Sequence, residues 1–113
     1  MSAAKLLVCI ISHEKRIEEV LEALLDAGIT RASILDARGM FDYLTGEIPL
    51  FAGFRSLIET TGKTNKMIVS VVENDARLQE AFAIIERIYG DFSHSNTGIL
   101  FGLDIADVRG LKF

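Results

Sequence analysis

The chain has 113 residues, half of them apolar and a quarter charged, the ordinary balance of one globular domain and not of a disordered or fibrous chain. Its sixteen acidic and twelve basic residues leave a formal net charge of −4, with Lys15-Arg16 the sole adjacent basic pair, which argues against a nucleic-acid partner. Cys9 is the single cysteine, so an internal disulfide and any Cys-x-x-Cys centre are excluded. No leader-like opening and no apolar run long enough for a bilayer is present, so a cytoplasmic protein without membrane insertion is expected.

Leu6–Ile11 is a short apolar run rich in β-branched residues and reads as a strand at the centre of a sheet. Ile17, Val20, Leu21, Leu24 and Leu25 then recur at helical spacing, one apolar stripe of an α-helix. Ser12 is positioned to cap it, Glu14 to sit in its first turn and Gly28 to stop it. Ile29–Arg38 is strand-like and Gly39 closes it. Met67–Val72 is a second clear strand run, after which Asn74-Asp75 offers a cap. Leu78, Ala81, Phe82, Ile85, Ile88 and Tyr89 repeat the helical stripe until Gly90, and Ile99–Ile105 is the last strand.

The order β, α, β, long loop, β, α, β predicts an α+β, ferredoxin-like βαββαβ domain over residues 1–113. Two βαβ-type units with right-handed crossovers put both helices on one face of a four-stranded sheet. The other face, lined by residues such as Val8, Ile10 and Val69, is left bare, and subunit association is the simplest cover for it.

Met40–Asn65 is long for a connection within a compact domain, and such loops are commonly functional. It is not a linker by composition, since it holds Phe41, Tyr43, Phe51 and Phe54 among other large apolar residues. A short helix is expected around Phe51–Glu59, and the segment reads as a partner-binding loop that orders on contact. Elsewhere the chemistry-bearing residues read plainly. Cys9 inside a strand is a small core residue, and Gly62-Lys63-Thr64 fails as a phosphate loop because Leu57 stands where its first glycine belongs. His94, in Asp91–Asn96, is the candidate metal ligand.

The arrangement resembles the PII-like signal-transduction proteins, the group that includes the nitrogen regulatory protein P-II. The matching stretches are Val20–Thr30, Ala37-Arg38-Gly39, Phe51-Ala52-Gly53, Ile68–Asp75 and Gly98–Val108, so the likeness runs from Lys5 to Lys112 in order and spacing. The resemblance implies a homotrimeric, non-catalytic regulator. An adenine nucleotide (ADP, AMP or ATP) or another small-molecule effector would bind in clefts between subunits. The long T-loop between strands two and three would contact a target protein such as a membrane transporter or metabolic enzyme.

Carried across, the resemblance assigns Ser33 to a hydroxyl facing the adenine, and Ile11 and Val71 to apolar positions near the base. Gly39 falls at the root of the T-loop and Gly98 on the phosphate side, with Arg109 and Lys112 near the C-terminal basic positions. Departures are equally specific. Ile99 stands where the family has a lysine, Gly110 replaces one arginine, Asn96-Thr97-Gly98 replaces a Gly-Asp-Gly turn, and Phe51 replaces the modified tyrosine. A triphosphate needs several cationic donors, so these losses point to a less charged adenine nucleotide or a different metabolite. Two other readings follow from the same frame. One is a metal-binding CutA-like trimer using His94 with Asp91 and His13, and the other is a small acylphosphatase-like enzyme acting at the Ser12-His13-Glu14 turn.

Overall fold

The computed structural model describes residues 3–11, 16–40, 43–44, 65–93 and 98–112. Their elements are β1 (Lys5–Ile11), α1 (Ile17–Asp26), β2 (Ala32–Ala37), β3 (Asn65–Val72), α2 (Asp75–Tyr89) and β4 (Gly98–Asp104), the expected βαββαβ order. All neighbouring strands pair antiparallel in the order β2-β3-β1-β4, with β1 second from one edge. The short helix expected around Phe51–Glu59 falls outside the described residues, as do Phe41, Phe51 and Phe54.

One sheet face carries the core. Leu7, Cys9 and Ile11 of β1 and Ile68, Ser70 and Val72 of β3 are buried beneath the helices. Val20 and Leu24 of α1 and Leu78, Ala81, Ile84 and Ile85 of α2 close over them. The α1 stripe is narrower than its spacing implies, because Leu25 is exposed. It lies about 100° around the helix from Leu24, past the edge of the sheet contact. Burial pushes the Cys9 thiol up to about 12 and the Tyr89 phenol likewise to about 12.

α1 starts at Ile17 with Arg16 in the capping position and no side-chain cap, and Glu18 and Glu19 are its first-turn acids; Ser12 and Glu14, expected at this helix start, lie outside the described residues. Arg16 faces the other helix. Its guanidinium binds Glu19 and donates from Nη1 to the carbonyl of Ile88 at the end of α2. At the opposite end the relation is mirrored: Arg77, in the first turn of α2, donates to the Ala27 carbonyl at 2.8 Å and to Glu80 at 2.8 Å. α2 is capped as expected, Asn74 Oδ1 accepting from the Arg77 N–H at 3.0 Å, and ends at Gly90.

The strands beside the helices begin or end a few residues from their expected bounds. β2 is shorter than Ile29–Arg38, because Ile29 is drawn into the core as its N–H bonds the Leu24 carbonyl. β3 starts two residues before Met67, where the register sets Lys66 opposite Asp36 and the two form an ion pair. A matching pair, Lys5 with Asp104, joins β1 to β4 at the other end of the sheet.

Among the described residues no helix lies on the second sheet face. Val8, expected to be bare there, is buried because it sits mid-sheet between Val69 and Phe101. The exposed apolar surface lies toward the edges: Leu35 is 46% exposed, Ile99 58%, Phe101 37% and Leu103 51%. Among the described residues no helix is long and apolar enough to cross a membrane.

Candidate functional site

The site is built at the corner where α1 hands over to β2. Gly28 makes the turn possible, with φ at +87°, a conformation that side chains disfavour. The turn brings Thr30 and Arg31 beside the last residues of β3. Ser70, only 2% exposed, donates its hydroxyl to the Arg31 carbonyl at 2.8 Å and so fixes the start of β2. The C-terminal segment begins as an extension of the sheet, the Ile105 N–H bonding the Ala4 carbonyl, and its last described residues return to this corner.

Together these pieces line an open cavity of about 170 Å³. Among the described residues its polar lining is Thr30, Arg31, Ser70, Glu73, Arg77 and Lys112, and Val71 supplies an apolar wall. Pockets for drug-sized ligands usually span roughly 300–1,000 Å³, so the cavity of one chain holds a compact ligand or one end of a larger one. Three cationic side chains face one carboxylate, which favours an anion.

The residues singled out from sequence separate into two groups. Val71 and Lys112 both line this cavity. Ser33 is exposed on β2 opposite Val69, just beyond it. Ile11, Gly39 and Gly98 lie at the opposite end of the sheet. Ile11 pairs with Gly98 and is fully buried in the core, so within one chain it offers no surface to a ligand. Gly98 must be glycine there for want of space, since a Cβ would run into the Ile10 carbonyl oxygen. Gly39 sits against Asn65, opposite the end of β2. Arg109 does not line the cavity; it is exposed and pairs with Asp107 at 3.2 Å.

At the root of the long loop Tyr43 is exposed, with the Arg38 guanidinium 5.2 Å from its ring centroid. His94, His13 and the Ser12–Glu14 turn lie outside the described residues. Among the described residues no three His, Cys, Asp or Glu side chains group as metal ligands do. Arg31, Glu73 and Arg77 had not been anticipated. The signal for Arg31 was available, since it directly follows the Gly28-Ile29-Thr30 turn.

The fold is similar to that in the crystal structure of Arabidopsis thaliana PII bound to citrate. The two share 21% sequence identity with a TM-score of 0.64, over 95% of this chain and 81% of that one. The chain thus has a divergent PII-like, ferredoxin-like subunit fold. No family model matches the sequence, and no curated protein does.

Proposed function

We propose that this chain is a PII-like regulator: a cytoplasmic homotrimer that binds a small anionic effector between subunits and signals to a target protein through its long loop. The observation that carries the reading is the split of the ligand positions. Val71 and Lys112 lie at one end of the sheet, while Ile11, Gly39 and Gly98 lie at the other. A ligand that uses both ends needs two copies of the chain, one presenting each end. The helix-free face, with Leu35, Ile99, Phe101 and Leu103 exposed, supplies the apolar surface for that association.

The effector is an adenine nucleotide with few phosphates or a related anionic metabolite. Ile99 projects from β4 onto the helix-free face, where an apolar residue serves packing and not phosphate binding. The similar plant protein is described as bound to citrate, itself a compact anion. No catalytic role is needed for this reading, since binding at the cleft and a response in the loop suffice. Coupling between the two is expected at about 1–3 kcal/mol.

Two measurements test it together. Mass in solution should correspond to three chains, and AMP, ADP, ATP or citrate should raise the melting temperature. Ligand at a hundred times its Kd stabilises by about 2.7 kcal/mol, a shift of about ten degrees for a domain of this size. A monomer that none of these ligands stabilises would refute the proposal.

A further inference from the structure

Among the described residues five cations are matched by acids. Lys5 pairs with Asp104, Arg16 with Glu19, Lys66 with Asp36, Arg77 with Glu80 and Arg109 with Asp107. Arg31, Arg87 and Lys112 have no ion-pair partner among the described residues, and of these Arg31 and Lys112 line the cavity at the α1–β2 corner. An acidic chain of net charge −4 therefore keeps two uncommitted cations at one concave spot, with Glu73 the lone carboxylate among the described residues beside them. Such a spot concentrates anions against the field of the rest of the molecule.

Arg31 is also rooted. Its carbonyl is held by the buried Ser70 hydroxyl, and Ala32, the next residue, enters the β-ladder opposite Ser70. A guanidinium on a fixed backbone loses less freedom on binding than one on a mobile loop. Arg77 is differently placed, since its Nη1 already serves the Ala27 carbonyl and Glu80; it lends charge to the cavity more than free donors.

Resting on the sensor reading above, we infer that Arg31 and Lys112 form the anion anchor of this cavity, and that Arg31 is the specificity-determining residue for a compact polyanion. The planar fork of Arg31 takes two oxygens of one acidic group, and Lys112 acts as a point charge on a second. The ligand class is a molecule with two or more closely spaced acidic groups, either a diphosphate or a polycarboxylate. The anchor provides locally the basic groups that Ile99 and Gly110 do not.

Titration calorimetry of the full chain with pyrophosphate, citrate and ADP tests this in wild type, Arg31→Gln, Arg31→Lys, Lys112→Gln and Arg87→Gln, the last altering a cation on α2 outside the cavity. Wild-type protein is expected to bind at least one probe. Arg31→Gln should weaken that binding about ten- to a hundredfold, the range of a lost charge-assisted hydrogen bond. Arg31→Lys, which keeps the charge but not the fork, should fall between, Lys112→Gln should also weaken binding, and Arg87→Gln should match wild type. Binding of pyrophosphate or citrate identifies free anions as sufficient, and binding of ADP alone assigns the anchor to a nucleotide tail. Equal affinity in wild type and Arg31→Gln overturns the anchor and leaves the sensor reading standing. Failure of every probe to bind wild-type protein overturns both.

Discussion

Gly28 and Arg77 should behave as one unit in a double-mutant cycle. Gly28 adopts φ of +87°, where a side chain costs about 1–2 kcal/mol. A Cβ there would stand 2.8 Å from Arg77 Nη2, too close for the guanidinium to keep its place beside the Ala27 carbonyl. A hydrogen bond from a charged donor contributes about 1.5–3 kcal/mol, while the partly exposed pair with Glu80 adds at most about 0.5. Gly28→Ala is therefore expected to destabilise by about 2.5–5 kcal/mol. Arg77→Ala, which keeps helix propensity high, should cost about 1.5–3 kcal/mol. The double variant should be little worse than Gly28→Ala alone, a coupling of about 1.5–3 kcal/mol. Urea unfolding at fixed protomer concentration reads all four corners of the cycle, since association would otherwise move the midpoint. If the two effects add to within about 0.5 kcal/mol, Gly28 and Arg77 are independent and the account of this corner is wrong.

Leu24→Ala, at a fully buried site on the core face of α1, should cost about 2–5 kcal/mol by the same unfolding measurement. Phe101→Asp, on the helix-free face, should leave each chain folded by circular dichroism while the mass in solution falls from three chains to one. Stability should decline at alkaline pH: Cys9, ordinarily near 9.0, and Tyr89, ordinarily near 10.0, are both held protonated by burial up to about 12. Their contribution is whole below about pH 9 and is lost as pH rises toward 12, because only the unfolded chain releases those protons readily. A Cys9→Ala variant with an unchanged decline between pH 9 and 10 would contradict this. At pH 8 the Cys9 thiol should resist alkylation in folded protein and react at once in urea, as a mass shift would record.

How much was legible in the sequence varied with how strongly each segment is buried on one side. The strands β1 and β3 stood out as continuous apolar runs at the centre of the sheet, and both helices because core contact imposes a period on them, seen in Leu78-Ala81-Ile85. β2 is an edge strand with Ile34 and Leu35 both exposed, so neither face imprints a pattern and its bounds drifted. The role of Arg16 at the start of α1 was not legible, because it answers to a partner far away in the chain. Val71 and Lys112, singled out through resemblance, both line the cavity. Arg31 was passed over as one scattered basic residue, and only the return of the C-terminal segment to the Gly28 turn shows it to belong with Lys112.

The crossed arginines bear on how the molecule comes apart. Arg77 follows Arg16 at the same interval that separates Glu80 from Glu19 and Ile88 from Ala27, so each half of the chain carries the same lock for the other half's helix. Neither βαβ half can satisfy the closing carbonyl of its own helix with its own arginine. Fraying at the tail of α1 frees Arg77 at the head of α2, and the converse holds at the other end. The two helices should accordingly share one opening free energy in amide exchange, and a fragment holding a single half should remain unstructured until the complementary fragment is added.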